Sequence, residues 1–354
     1  MPRRVDGVDA ARGLALIGMF VAHVAPVVAS VEVTQLLSIA EERPRLLFAL
    51  TAGIGLGFIS GGAAPITEGR DTLRRQIAIR AVILIVLGFL IWALLNPLVF
   101  IILDVYGVAF LIMLPLLFLR PWVALALGVG LVVIAPGLAE LGARTEFVQA
   151  VRQTPVKFLS DWVVGGAYPV IVWVPVMLIG LALARLDLAR ARVLAAAALI
   201  GSLAAAVFLP IAASMPGPEV VSEASWSVPL HESIMTVGNV GVCVVVVAAL
   251  VAVTALARPP VRRVARTLLS PIIAMGAMPL SIYTIHLVVI AGAKRTENGV
   301  VTDDSWPLLI GLVVGSMVFA WLWRRYVGRG PLEQVLRWAS GRDRADAATA
   351  PEAR

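Results

Sequence analysis

Long apolar runs dominate this chain and are separated by short polar segments. Ten of the runs have roughly the 17 to 25 residues that a helix needs to cross the ~30 Å hydrocarbon core of a bilayer. They cover approximately residues 9–31, 45–62, 79–95, 98–119, 122–141, 168–184, 193–214, 232–257, 268–293 and 306–327. Hydrocarbon offers no water to backbone N–H and C=O groups, so each run should be helical. The pattern predicts an all-α, polytopic integral membrane protein with about ten transmembrane helices.

Basic residues between the runs predict the orientation of the chain. With the N-terminus inside, 22 lysines and arginines fall on the cytoplasmic side and seven fall outside. Basic residues accumulate on the cytoplasmic side of membrane spans, and an even number of spans returns the chain to that side. We therefore expect both termini in the cytoplasm. A membrane domain should cover residues 1–340, and a disordered tail rich in alanine and charge should cover residues 341–354.

Composition excludes several classes of function. Hydrophobic residues make up 60% of the chain and charged residues 14%, whereas soluble domains carry about 25% charge. The net charge of +7 comes from arginines between apolar runs, so it does not indicate a nucleic-acid partner. The single cysteine, Cys243, can form no internal disulfide and has no partner for a metal site. The 27 arginines against two lysines are typical of a GC-rich bacterial genome, which predicts the bacterial plasma membrane as the location.

Ionisable side chains inside the first run are candidates for function, because such groups are costly in a membrane. Arg12 and His23 are eleven residues apart, so they should share a helix face about 16 Å apart. His23 either handles protons or forms a hydrogen bond between helices. Arg12 either binds a ligand or anchors the span at the headgroups. Asp9 either joins Arg12 or caps the helix N-terminus.

Further polar residues lie in later runs. Tyr283 and His286 are three residues apart and should share a helix face, either to handle protons or to join helices. His231 should begin the eighth span directly after Pro229, at its outer end. It either belongs to the functional site or contacts a loop or the lipid headgroups. Asp104, near the start of the fourth run, needs a partner, for which Arg45 or a histidine would serve.

The order of several segments resembles the transmembrane acyltransferase superfamily, which includes the heparan-α-glucosaminide N-acetyltransferase family and the bacterial YeiB-like proteins. The first run contains Asp9, Arg12, Gly13 and His23. The other segments are RPRLLFALTAGIGLGFISGG, ILDVYGVAFLIMLPLL, LHESIMTVGNVGV, PLSIYTIH and RYVGRGPLEQVLR. One departure from the heparan-acetylating branch is that residues 31–44, directly after the first span, contain no histidine.

The resemblance implies an acyltransferase that takes an acetyl or other acyl group from cytoplasmic acyl-coenzyme A. The acceptor would be a hydroxyl or amine of an extracytoplasmic carbohydrate or glycolipid. His23 would be the base or would take the acyl group itself, Tyr283 or His286 would donate to the oxyanion, and Asp104 would complete the catalytic set. The other implied residues are Arg45, Tyr106, His231 and Asn239 for the acceptor and Asp9, Arg12, Arg74, Arg75 and Arg80 for coenzyme A.

Two other classes of function fit the same residues. A proton-coupled transporter or exporter of a small molecule or lipid would use Asp104, His23 and His286 as a pathway without bond chemistry. A b-type haem protein would use His23 and His286 as axial ligands. Membrane lipids are expected partners in every case, and the sequence leaves open whether the protein forms a homodimer.

Overall fold

The computed structural model describes residues 5–216, 225–297 and 299–341, and nearly all regular structure in these ranges is helical. The helices are α1 (Asp6–Val24), α2 (Val31–Ile59), α3 (Arg70–Leu95), α4 (Leu103–Met113), α5 (Pro121–Ala143), α6 (Glu146–Arg152), α7 (Lys157–Ser160), α8 (Val170–Arg185), α9 (Ala191–Ser214), α10 (Ser227–Val251), α11 (Pro259–Leu268), α12 (Ser270–Ala277), α13 (Pro279–Gly292), α14 (Trp306–Tyr326) and α15 (Pro331–Ala339). Two π-helical turns, Asp161–Gly165 and Ala252–Leu256, continue α7 and α10. A small antiparallel hairpin, β1 (Arg295–Glu297) and β2 (Val300–Thr302), is the one β-structure in the described ranges.

Six of these helices are long and apolar enough to cross a membrane. They are α1, α3, α5, α9, α14 and α10 with its π-helical turn. The number rises to eight if two bent helix pairs each form one span: Lys157–Gly165 with α8, bent by 49°, and α12 with α13, bent by 90°. The protein is therefore a multi-pass membrane protein of nearly all-α structure. The count of ten spans and the cytoplasmic position of both termini stay predictions.

Expected spans and observed helices differ in length in both directions: α2 and α3 begin earlier than the runs 45–62 and 79–95, and two other spans are shorter than expected. The run 98–119 does not form one long helix, because α4 contains only 11 residues. Pro97 and Pro115 lie on either side of α4, and proline interrupts a helix by removing a backbone donor. The first span ends at Val24 rather than at residue 31, because Ala25 precedes Pro26 and is extended, with ψ of 125°.

A few sequence-based expectations lie outside the described residues. Arg3 and Arg4 belong to the basic residues counted as cytoplasmic, and neither is described. The same holds for the expected disordered tail, of which only Gly341 is described.

Contacts at one end of the bundle bring α1, α3 and α13 together. The Lys294 Nζ, just after α13, donates to the carbonyl oxygens of Leu95 and Asn96 at 3.1 and 2.5 Å. The Ser305 backbone N–H donates to the Val24 carbonyl at 2.9 Å, which joins the start of α14 to the end of α1. These bonds join α13 to α3 and α14 to α1. The helices α1 and α13 also contact each other, and each of them carries one of the histidines inferred from the sequence.

Candidate functional site

Two histidines from distant parts of the chain form the centre of the candidate site. The His23 Nδ1 lies 3.2 Å from the His286 Nε2. The two rings are nearly parallel, with 13° between their planes and 5.4 Å between their centroids. His286 is fully buried, whereas His23 is partly exposed. The structure therefore brings together two of the three histidines that the sequence singled out, with His23 as the accessible member of the pair.

A chain of hydrogen bonds fixes which nitrogen of each neutral ring carries the proton. The His286 Nδ1 lies 2.5 Å from the Tyr283 backbone carbonyl oxygen, which can only accept, so Nδ1 must be the donor. In a neutral His286 the Nε2 is then an acceptor, and His23 donates to it through Nδ1. A neutral His23 is left with a lone pair on Nε2, which is the form that a general base requires.

Contacts of α1 and α13 fix the positions of the two histidine rings. Phe20, one turn before His23, packs against the His286 ring with 4.9 Å between centroids. The N-terminus of α13 is capped from α15, because the Leu280 and Ser281 N–H groups donate to the Glu333 Oε1 at 2.8 and 3.2 Å. A carboxylate at a helix N-terminus satisfies free N–H groups and favours the helix dipole. Glu333 therefore caps the helix that carries His286, a contact that sequence reasoning missed although the segment containing Glu333 was noted in the resemblance.

Two cavities lie near the histidine pair, one at His23 and one beside it. One of about 370 Å³ is lined by His23, Glu41, Arg45 and Tyr168, among others. The second, of about 180 Å³, is lined by Arg45 and by three carboxylates. These carboxylates belong to Glu42, Glu140 and Glu232. Arg45 borders both cavities, so a polar molecule in either cavity would meet its guanidinium.

The Arg45 side chain is held in place by its own neighbours. Its guanidinium donates to the Ala167 carbonyl at 2.6 Å and pairs with Glu42. Glu42 also accepts from the Asn239 Nδ2 at 3.1 Å, and the Asn239 Oδ1 accepts from the Arg43 Nε at 2.9 Å. Asn239 therefore joins α10 to α2 and orients Glu42, while Arg45 is the acceptor-site candidate that reaches the cavities.

Asp104 has a different partner from those expected. Its Oδ2 accepts from the Trp162 indole N–H at 2.7 Å, so the expected pairing with Arg45 or a histidine is wrong. The residues after α5 fold back as α6, α7 and a π-helical turn, and this brings Trp162 to α4. The Asp104 Oδ1 is buried and has no hydrogen-bond partner within the described ranges.

The two candidate tyrosines lie in apolar surroundings. The Tyr283 hydroxyl accepts from the Ile102 N–H at 3.0 Å, and its ring stands edge-on to His286 at 4.7 Å. The buried Tyr283 therefore supports His286 through its backbone carbonyl and its ring. Tyr106 packs among aromatic rings, with centroid distances of 5.3 Å to Phe48 and 5.9 Å to Trp173.

Arg12 joins three helices. Its guanidinium donates to Asp9 at 3.3 Å on α1, to the Thr51 carbonyl at 3.0 Å on α2 and to the Gly276 carbonyl at 3.1 Å on α12. The alternative of Asp9 as the helix cap is wrong, because α1 starts at Asp6, its N-cap is Val5, and Asp9 pairs with Arg12. The contacts of Arg12 are those of a residue that holds helices together.

The remaining basic candidates lie on α3. Arg74 pairs with Asp71 at 3.3 Å and stands over the Phe118 ring at 5.2 Å. Its Nε is buried and lacks a hydrogen-bond partner among the residues that the structure describes, whereas the side chain as a whole is 40% exposed and so can reach a ligand through its terminal nitrogens. Arg75 is exposed, and Arg80 is half-buried.

His231 and Arg185 differ from their expected surroundings. His231 lies in the second turn of α10, which begins at Ser227 before Pro229, so it does not start the helix as expected. Its buried Nδ1 has no partner in the described part of the chain. Arg185, which the sequence suggested only as an orientation signal, is 4% exposed and donates to Ser60, Gly62 and Leu117.

Family models cover both halves of the site. Residues 4–211, more than half of the chain, match the model described as "Heparan-alpha-glucosaminide N-acetyltransferase, catalytic". The chain belongs to this family. Residues 182–343 match the model described as "Protein of unknown function (DUF418)", which agrees with the YeiB-like part of the resemblance. The acetyltransferase-family match contains His23 and the second match contains His286, so the histidine pair joins the two regions. A search of curated proteins gives no match.

Proposed function

We propose that this protein is a membrane-embedded acyltransferase that moves an acetyl or other acyl group from acyl-coenzyme A to a hydroxyl or amine of a carbohydrate or glycolipid. The observation that carries the proposal is the histidine pair at the 370 Å³ cavity in a chain of the acetyltransferase family. The family supports the reaction class, and the hydrogen-bonded pair supplies the base that acyl transfer to a hydroxyl or amine requires.

His23 is the catalytic residue in this proposal. Its Nε2 takes the proton of the acceptor hydroxyl or amine while the acceptor oxygen or nitrogen attacks the thioester carbonyl. The bond between the carbonyl carbon and sulfur breaks, and His23 returns the proton to the departing thiolate, so protons and electron pairs balance. His286 holds His23 in the required tautomer through the 3.2 Å hydrogen bond and is a positioning residue rather than the oxyanion donor expected from the sequence.

The acceptor is proposed to enter through the two cavities that Arg45 joins. Glu41 lines the cavity of His23, and three further carboxylates line the adjoining one. Carboxylates accept hydrogen bonds from hydroxyl and ammonium groups, and Arg45 can donate to oxygens of the same molecule. This lining supports an acceptor rich in such groups, as a sugar is.

The donor is proposed to use arginines of α3. The Arg74 side chain is 40% exposed, and Arg75 and Arg80 lie within two turns of it. Arginine matches phosphate oxygens well, which fits the phosphates of coenzyme A. Arg12 is left out of the donor site, because its guanidinium already binds two carbonyls and Asp9.

The test is acyl transfer by the purified protein in proteoliposomes, with labelled acetyl-coenzyme A on one side and a glycan and glycolipid extract on the other. We expect a labelled product whose rate of formation falls by about 10² to 10⁴ with His23→Gln. Glycan and lipid profiling of a deletion strain should show the loss of the same acyl group. Dissipation of a proton gradient without consumption of acetyl-coenzyme A would instead support the transporter alternative.

A further inference from the structure

A basic groove lies between α11, α12 and the C-terminal part of α14, and the site described above uses none of its residues. Two adjoining cavities of about 530 and 240 Å³ form the groove, and both are bordered by Arg266, Ser270 and Trp321. Among the residues that the structure describes, five arginines line it, namely Arg262, Arg263, Arg266, Arg324 and Arg325. Asp6 is the one carboxylate among these described lining residues, and it pairs with Arg266 at 3.2 Å.

The arginines of this groove differ in their contacts: Arg325 stands over the Trp321 ring at 5.8 Å, and the other four fall into two groups. Arg266 and Arg262 serve the fold, because they donate to the Thr254 and Ala255 carbonyls at 2.8 and 3.3 Å. The side chains of Arg263 and Arg324 make no hydrogen bond or ion pair with another described residue, and Arg263 is exposed. Guanidinium groups available on the two sides of a groove suit phosphate oxygens, which accept several charge-assisted hydrogen bonds.

Apolar side chains continue from this basic groove. On α14 an exposed stripe of Ile310, Val314 and Val318 leads at helical spacing to Trp321 at the groove. On α11 the exposed Val261, Val264 and Leu268 share a face beside the arginines. A short helix with basic and apolar residues of this kind lies in the interface between headgroups and acyl chains. The arginines of the groove could therefore bind a phosphate, and the apolar stripe that begins beside them could contact an acyl chain.

We propose that this groove binds an anionic phospholipid, with the headgroup phosphate held by Arg263 and Arg324 and an acyl chain along the exposed stripe of α14. The preference for an anionic headgroup follows from charge complementarity, since the described lining residues include five arginines and one carboxylate, which is already paired. A phospholipid can place its headgroup phosphate at the arginines and its acyl chain along the stripe at the same time, which coenzyme A, having no acyl chain, cannot do. This inference does not depend on the proposed acyltransferase activity.

The test is native mass spectrometry of the purified protein with three probes: phosphatidylglycerol, phosphatidylcholine with the same acyl chains, and coenzyme A. Wild-type protein should retain phosphatidylglycerol in preference to phosphatidylcholine. The double variant Arg263→Gln with Arg324→Gln should bind phosphatidylglycerol about 30-fold more weakly, since each basic residue near a membrane surface contributes on the order of a factor of five. The matched control is Arg190→Gln with Arg192→Gln, which removes two exposed arginines near the start of α9 and should retain the lipid.

Three outcomes would overturn the proposal. Equal loss of lipid in the double variant and the control would show a general effect of net charge. Displacement of phosphatidylglycerol by coenzyme A would identify the phosphate source as a soluble ligand. Unchanged retention in the double variant would show that the groove does not hold the lipid. The variant Arg263→Lys with Arg324→Lys keeps the charge and should retain most of the lipid, which separates loss of the site from loss of the fold.

Discussion

The Nδ1 of His23 lies 3.2 Å from the Nε2 of His286, although the two residues are 263 positions apart. One ring of the pair is inner and the other outer. The buried His286 ring donates to the Tyr283 carbonyl, and the His23 ring borders the cavity. The arrangement resembles that of a base held by a second residue, in which only the outer group meets the substrate. The two histidines should therefore differ in their response to substitution.

Replacing His23 with glutamine should abolish most of the acyl transfer. Removal of a positioned general base typically costs about 10² to 10⁴ in rate. The loss should appear in kcat, while the affinity for acyl-coenzyme A and the yield of folded protein stay close to wild type, because His23 is partly exposed. The measurement is a product assay with titration of the donor. Full activity of His23→Gln would show that the proposed mechanism is wrong.

Replacing His286 with glutamine should be less severe. The amide can still donate to a carbonyl and accept from His23, so we expect a rate loss of about 10 to 100-fold, the range typical of partners that orient a metal-binding histidine. The pH profile of kcat should also change, because His286 contacts His23 directly. A dead His286→Gln beside an active His23→Gln would mean that the two roles are exchanged.

Topology can be tested with cysteines, because Cys243 is buried and can be replaced in a Cys243→Ser background. Arg192→Cys should react with a membrane-impermeant thiol reagent only from the cytoplasmic side, and Thr296→Cys in the hairpin should react only from outside. Both positions are exposed, so lack of access would not explain protection. The opposite labelling pattern would contradict the orientation that the 22 basic residues predict.

The sequence predicted the helices better than their ends and breaks. A long apolar run indicates a segment that crosses the hydrocarbon core, so the runs were sufficient to predict a multi-pass helical protein. The 90° bend between α12 and α13 depends on the conformation of a few residues around Met278, and hydropathy does not register it. The short α4 could have been anticipated from Pro97 and Pro115, which flank it.

Side-chain partners were predicted less well than candidate residues. His23 and His286 stood out because ionisable groups are rare in membranes, yet their contact depends on the fold of α13 across the end of α1. The Trp162 partner of Asp104 could not be found from charge, because the indole is a neutral donor on a distant segment. Arg185 was counted as a topology signal, since sequence does not distinguish a buried arginine from one in the headgroups.

Substituting Arg12 with alanine should lower stability before it affects donor binding. The change removes hydrogen bonds to the Thr51 and Gly276 carbonyls and leaves Asp9 without this partner. We expect a loss of about 2 to 4 kcal/mol, since unsatisfied buried groups cost about 1 to 3 kcal/mol each. Thermal unfolding in detergent measures it, with the exposed Arg75→Ala as the control. An unchanged Tm together with weakened donor binding would instead support Arg12 as a donor-site residue.

Arg185 should be among the least replaceable residues outside the candidate site. Its guanidinium donates to the Ser60 hydroxyl and to the Leu117 carbonyl, each at 2.7 Å, and to the Gly62 carbonyl at 2.6 Å. It therefore fixes the end of α8 to the turn after α2 and to the segment after α4. Arg185→Met should cost about 3 to 5 kcal/mol, because the buried carbonyls lose charge-assisted hydrogen bonds that an apolar side chain cannot replace.

The matched control for Arg185 is Arg190→Met, which removes an equal charge from an exposed residue paired only at the surface with Asp187. Exposed pairs contribute about 0 to 1 kcal/mol, so the Tm of this variant should stay near wild type. Arg185→Lys should recover only part of the loss, because one ammonium cannot reach three separate acceptors as the planar guanidinium does. Equal Tm values for Arg185→Met and Arg190→Met would show that the buried contacts contribute no stability and that Arg185 serves mainly as an orientation signal.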